Sequence, residues 1–194
     1  ENPEKNVDEH ARMACINFPT VIAALEPYEA MDENTTADTN PKTWSNSYGD
    51  FVRPNYETKQ RYLEMAIEIY DFAAKNLFNR AMGWVYDSCR GFPNNYSYDS
   101  KAHVYNQATM IGASVKLYKI TGKATYLDNA KRAAKYVFTR MSNVSTNYLL
   151  PWESGIEQGI YTTILSQYMA ELIYDCGDTT YLEQIRNNIF CGWE

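Results

Sequence analysis

An all-α chain of tandem helical hairpins is the fold this sequence predicts, and three observations predict it. A Tyr-Leu-acid signature recurs as Tyr62-Leu63-Glu64, Tyr126-Leu127-Asp128 and Tyr181-Leu182-Glu183, each copy opening a stretch of helical period behind another such stretch. Ahead of the last two copies stand Leu117-Tyr118-Lys119-Ile120-Thr121-Gly122 and Leu172-Ile173-Tyr174-Asp175-Cys176-Gly177. The glycine in each suits the left-handed residue that closes a helix. So few residues separate Gly122 and Gly177 from the following tyrosine that only a tight turn fits, which makes each helix pair antiparallel.

The elements follow in order. Hairpin one spans about 9–80. Its first helix runs from about Ala14 to Met31, with Pro27 expected to kink it or end it early. An insertion over 32–56 replaces the tight turn, and the return helix carries Leu63, Ala66, Ile67, Ile69, Tyr70, Ala73, Ala74 and Leu77 at spacings of three and four. From Gly83 to His103 the chain reads as a loop, because Gly91, Pro93, Asn94 and Asn95 carry no helical period. Hairpin two spans about 104–141, its outer helix marked by Tyr126, Leu127, Ala130, Ala133, Ala134 and Val137. A second loop runs from about Ser142 to Gly155, and hairpin three spans about 156–190. Both loops deliver the chain into a new first helix, so they share one face of the array, where sites usually reside.

Composition narrows the function. In 194 residues the net charge is −6 and the pI near 5.0, without the Lys/Arg stripe that would displace counterions from phosphates, so no nucleic-acid partner is expected. No apolar run approaches the roughly 18 residues of a membrane span. Neither a signal peptide nor a starting Met is present, which suggests a trimmed chain and leaves export open. Cys15, Cys89, Cys176 and Cys191 lack CxxC spacing and read as isolated buried thiols, a Cys176–Cys191 bridge being conceivable but unsupported. With only His10 and His103 and no Gly-rich phosphate loop, no metal or nucleotide motif emerges. Asn34, Asn95 and Asn143 begin glycosylation sequons of the kind that arise by chance in an Asn-rich chain.

The hairpin entrances hold the informative chemistry. Hairpin two begins Val104-Tyr105-Asn106-Gln107, where two amides and a phenol offer donors and acceptors together, as a neutral polyhydroxylated ligand requires. Hairpin three follows Pro151-Trp152-Glu153-Ser154-Gly155-Ile156-Glu157-Gln158-Gly159, which combines a flat aromatic with carboxylates. Hairpin one opens with Cys15-Ile16-Asn17-Phe18-Pro19. An aromatic face for pyranose C–H groups and planar polar groups for its hydroxyls are what a sugar site needs. The competing reading makes Asn17 and Asn106 helix caps and Trp152 a packing residue.

Tyr105 to Lys135 resembles the endo-α-1,6-mannanases of glycoside hydrolase family 76, with Tyr-Asn-Gln before an apolar helix, an LY-x-x-TG turn and a Tyr-Leu-Asp helix. Ala14 to Thr20 is similar to that family's Asn-x-x-Pro helix start, Tyr86-Asp87 to its aspartate after the next helix, and Gln158-Gly159-Ile160-Tyr161 to the segment before a later inner helix. The resemblance implies an (α/α)6 toroid of six hairpins, of which this chain holds three, about half of the ring and its C-terminal portion. It implies a retaining two-carboxylate glycosidase acting on α-1,6-linked mannan, without metal or organic cofactor. Asn17, Asp87, Tyr105, Asn106, Gln107, Trp152 and Glu153 become the candidate substrate-binding residues. An extracellular, periplasmic or cell-surface location is implied, since mannan is an extracellular polymer.

The chain also departs from that pattern. Ala108 stands where the family usually has Gly, and 32–56 is an insertion. The family's consecutive aspartates, acid/base and nucleophile, have no counterpart, because no Asp-Asp occurs in the sequence. The acidic pairs Asp8-Glu9 and Asp32-Glu33 read as solvated, and Asp87, Asp99, Glu153 and Glu157 sit on the loop face without an assigned catalytic role. A half-ring leaves apolar flanks, so the expected partners are the rest of the polypeptide or a second copy. A non-catalytic carbohydrate-binding relative is the alternative, and a purely structural helical repeat or another toroid enzyme such as a sugar epimerase lies behind it.

Overall fold

The computed structural model describes residues 11–33, 43–46, 49–52, 58–91, 96–151 and 159–193. Three antiparallel helix pairs dominate: α1 (Ala14–Ala30) with α2 (Lys59–Leu77), α3 (Val104–Thr121) with α4 (Ala124–Tyr136), and α5 (Ile160–Cys176) with α6 (Leu182–Trp193). Helices α1, α3 and α5 stand side by side as an inner row, with α2, α4 and α6 outside, which is an arc of an α/α toroid.

Burial shows why α3 is the middle of that row. Every residue from Asn106 to Leu117 is buried, a pattern periodicity cannot produce and which requires neighbours on all sides. The outer helix α2 buries only a stripe, Ala66, Tyr70, Ala73, Asn76 and Leu77, and its start is capped by the Thr58 hydroxyl, which accepts from the Arg61 N–H at 3.2 Å. Gly122 and Gly177 close α3 and α5 in the left-handed region at φ 67° and 68°. Two of the signature tyrosines act as staples between hairpins: Tyr126 meets Tyr70 of α2 edge-on at 5.0 Å, and Tyr181 stacks on Phe138 at 5.0 Å.

Several sequence expectations need correction or completion. Pro27 does not end α1, which continues to Ala30, where the Met31 N–H bonds the Pro27 carbonyl. The stretch from Gly83 to His103 is not only loop: β5 (Trp84–Val85) pairs with β4 (Phe78–Asn79), and β6 (Ser88–Arg90) lies between β1 (Arg12–Met13) and β7 (Ser97–Asp99) in an antiparallel sheet. The insertion after α1 holds a further hairpin of β2 (Thr43–Asn46) and β3 (Gly49–Val52). All four cysteines are free, but only Cys89 is buried and Cys191 is exposed.

Candidate functional site

Helices α1, α3 and α5 all begin at one end of the arc, where the sheet β1-β6-β7 lies over the starts of α1 and α3. The residue between β5 and β6 that matters is Asp87. Its carbonyl accepts from the Ala14 N–H at 2.9 Å and its own N–H donates to the Asp99 carbonyl at 3.0 Å, so its backbone is held from two sides. Its Oδ1 accepts from Asn106 Nδ2 at 3.0 Å, and His103 Nε2 stands 3.9 Å from the same oxygen. That places a carboxylate at the N-terminal end of α3, where unpaired helix N–H groups favour negative charge.

Asn106 is 1% exposed, and because a carboxylate only accepts, its amide must turn Nδ2 toward Asp87. Its Oδ1 is then left without a hydrogen-bond partner among the described residues. Neither Asn106 nor Asn17 is a helix cap: the capping positions are His103 and Met13, and neither contributes a side-chain cap bond. Asn17 sits one turn into α1 and donates Nδ2 to the Met13 carbonyl at 2.7 Å.

Gln107 does something else. It is fully buried, its Oε1 accepting from the Val85 N–H and its Nε2 donating to the Val85 carbonyl, both at 3.1 Å. The amide continues the β4-β5 pair as a third strand would, and it has no face left for a ligand. Its direct substrate-binding role is therefore replaced by an anchoring one.

Tyr105 is half-buried, its ring 5.5 Å from that of Tyr161 at the start of α5. The two helices approach closely because Gly112 leaves room for Tyr168: a Cβ at Gly112 would lie 2.4 Å from that ring. Burial pushes the Tyr168 phenol up, with Glu171 adding to the effect. Deeper along the inner row, Lys116 reaches Glu26 at 3.2 Å and Glu29 at 3.6 Å. Burial opposes the Lys116 charge, but Glu171 and these two glutamates together raise its pKa, while at Glu171 burial prevails and raises the carboxyl.

The structure thus gathers Asp87, Asn106 and Tyr105 at one entrance and leaves Asn17 at the neighbouring one. Trp152 and Glu153 lie outside the described residues, as does Glu157. Asp99 turns its carboxylate to the Lys101 N–H at 2.9 Å. Two residues escaped the sequence reading as site members: His103, whose only cue was its place just before Tyr105-Asn106, and Tyr161, which follows the expected start of hairpin three. Among the described residues no group of side chains has the makeup of a metal site.

Helical hairpins in an arc, with their inner helices all starting at one end, define the chain as part of an α/α toroid. Residues 51–189 match the profile of glycosyl hydrolase family 76, and the chain belongs to that family. Among solved structures it is similar to an inactive variant of the α-1,6-mannanase of Salegentibacter sp. HEL1_6, with two consecutive aspartates replaced, in complex with α-1,6-mannotetrose. The identity is 26% over 84% of this chain and 40% of that one, with a TM-score of 0.62. A family 76 mannosidase from Bacteroides thetaiotaomicron shares the fold at 22% identity, covering 96% of this chain and 44% of its own, TM-score 0.66. So does the cellobiose 2-epimerase of Bacillus thermoamylovorans at 17% identity, covering 94% and 44%, TM-score 0.67. The chain therefore spans about two-fifths of the length of these proteins. No curated protein matches the sequence.

Proposed function

We propose that this chain supplies part of the substrate cleft of a secreted or surface-held glycoside hydrolase acting on α-1,6-linked mannan by a retaining mechanism. The observation that carries the reading is the Asp87–Asn106 pair at the α3 entrance, in a chain of a family whose Salegentibacter member was captured with α-1,6-mannotetrose. Asp87 accepts a hydrogen bond from a sugar hydroxyl, Asn106 holds that carboxylate in place, and Tyr105 with Tyr161 offers flat C–H-binding surface. Asn17 extends the wall at the neighbouring entrance, and the reading keeps Trp152 and Glu153 as further substrate-binding residues. Retaining hydrolysis uses two carboxyl groups about 5 Å apart, one as acid/base and one as nucleophile. The sequence has no Asp-Asp, and the inactivated relative lacks such a pair by substitution, so the reading assigns both catalytic groups to protein outside these residues.

That protein is the remainder of the toroid, on the same polypeptide or in a second copy. Ile16 on α1 and Ile160, Ile189 and Phe190 on α5 and α6 are each more than half exposed, as flanks awaiting further hairpins are. The missing Asp-Asp also supports the second reading, a non-catalytic carbohydrate-binding relative. Incubating the full-length protein with linear α-1,6-mannan and measuring released reducing ends separates the two: no hydrolysis removes the enzyme reading. Calorimetric titration with α-1,6-mannotriose tests the site, where Asp87→Asn and Asn106→Ala should weaken binding. Unchanged affinity in both variants would remove this entrance from the cleft.

A further inference from the structure

A second feature crosses the same end of the arc. Five aromatic rings follow one another from the outer helix to the sheet edge. Tyr136 at the end of α4 lies parallel to Trp84 with centroids 6.1 Å apart, Trp84 is 4.9 Å from Tyr86, Tyr86 is 4.6 Å from Tyr98, and Tyr98 is 6.2 Å from Tyr96 at an interplanar angle of 14°. Burial grades along the row: Tyr136, Trp84 and Tyr86 are half-buried, whereas Tyr98 and Tyr96 are 44% and 39% exposed. Tyr86 in the middle of the row is held by its hydroxyl, which accepts from Asn79 Nδ2 at 3.2 Å. Tyr98 stands opposite Cys89 in the β6-β7 ladder, and that thiol is buried, which pushes it up.

Two exposed phenol rings, Tyr98 on the three-residue strand β7 and Tyr96 just before it, lie outside the core, yet they are presented on an aromatic backing. Their flat faces suit pyranose C–H surfaces, and the residues around them, Arg90, Ser97, Asp99 and Lys101, are exposed and mixed in charge, which suits a neutral polyhydroxylated chain better than an ionic partner. The row stands between the first two hairpins, because Trp84 follows α2 and Tyr136 belongs to α4. It is thus away from the flanks marked by Ile16 and Ile160 where further hairpins would pack. It is also continuous with the candidate cleft: Asp87 bonds the Asp99 carbonyl, one residue from Tyr98.

We propose that Tyr98 and Tyr96 form an outlying platform for a second stretch of the same α-1,6-mannan chain, with Tyr86 and Trp84 as its support. This rests on the reading of the cleft as a mannan site. A platform of this kind acts on long substrates, because the second contact becomes intramolecular once the first is made.

The test compares affinity of the full-length protein for polymeric linear α-1,6-mannan and for α-1,6-mannotriose. In Tyr96→Ala/Tyr98→Ala, the ratio of polymer to trisaccharide affinity should fall on the order of tenfold or more, as when one of two linked contacts is lost. Tyr96→Phe/Tyr98→Phe keeps the rings and should retain most of the ratio. An unchanged ratio in the alanine variant, with the polymer still bound, overturns the platform and leaves the cleft reading intact. A wild-type protein that binds neither sugar overturns the cleft reading and the platform with it. Circular dichroism reports folding, and if uncovering Cys89 unfolds the double variant, Tyr96→Ala alone must lower the ratio for the proposal to stand.

Discussion

Replacing Gln107 with alanine distinguishes an anchor from a ligand-binding amide. The substitution removes the side chain that, among the described residues, meets both the Val85 N–H and the Val85 carbonyl, each at 3.1 Å. Both groups are buried, and each costs about 1–3 kcal/mol when left unpaired. The volume of a fully buried side chain is also vacated, so the total loss is on the order of 3–5 kcal/mol. That is a large part of the roughly 5–15 kcal/mol by which domains are stable. Urea denaturation followed by circular dichroism should show the midpoint falling accordingly. Gln107→Glu sharpens the test. Its carboxylate can accept from the Val85 N–H but faces the Val85 carbonyl, another acceptor, so the folded protein holds the new group protonated above its ordinary value near 4.3. A raised acid destabilises the fold above its folded pKa, and the deficit is relieved as pH falls through that value. The gap between wild type and Gln107→Glu should therefore narrow in acid while that of Gln107→Ala does not. A Gln107→Ala protein of unchanged stability that has lost mannotriose affinity would refute the anchor and restore Gln107 to the ligand.

The remaining predictions concern the framework. Tyr70→Phe removes a hydroxyl that joins Ser114 at 2.8 Å and Asn129 at 2.9 Å; burial pushes that phenol up to about 12, so it stays neutral at working pH. Its loss should cost about 1–2 kcal/mol in chemical denaturation, with no pH dependence between 5 and 9. Gly112→Ala puts a Cβ 2.4 Å from the Tyr168 ring and should cost about 1–3 kcal/mol by forcing α3 and α5 apart; a thermal midpoint equal to wild type would show that the ring moves freely. Asp128 is held below the usual carboxylate range, chiefly by the Arg132 hydrogen bond at 2.8 Å and further by Arg80. Being 41% exposed it contributes only about 0.5–1 kcal/mol after screening. A lowered acid stabilises above its unfolded pKa and loses that contribution as pH falls through its folded one. The stability gap between wild type and Asp128→Asn should thus hold at neutral pH and close below about pH 4.

What could be read from the sequence was whatever repeats locally. Gly122 and Gly177 announced tight turns because a left-handed residue at a helix end is a local need, and both adopt it. The apolar stripe of α2 was legible because one side of that helix faces solvent; α3, buried throughout from Asn106 to Leu117, had no stripe, and only its place between glycine and loop identified it. Strands of two or three residues, such as β5 and β6, are shorter than any period and went unseen. The roles of Gln107 and Asn106 were hidden for the same reason. The partner of one is the backbone of an invisible strand, and the partner of the other is a carboxylate nineteen residues away. Pro27 misled because the residues after it find their bonds in one last turn, closed by the Met31 N–H.

These hidden contacts bear directly on the site proposed at the α3 entrance. Val85 is gripped by Gln107 of α3, the Tyr86 N–H by the Leu77 carbonyl at the end of α2, Asp87 by Ala14 of α1 and Asp99 of β7, and Ser88 and Cys89 by strands on both sides. Five consecutive residues are thus fixed by elements from both of the first two hairpins. In the proposed role, a carboxylate on such a segment would need little reordering to accept from a sugar hydroxyl, and side chains held by a second layer of bonds are what binding geometry requires. The same connections mean that position at Asp87 depends on how the hairpins sit together, since neither hairpin alone supplies all of its supports. Signature residues such as Tyr126, wedged against Tyr70, therefore serve the site as well as the fold: they set the spacing of the hairpins between which Asp87 is suspended.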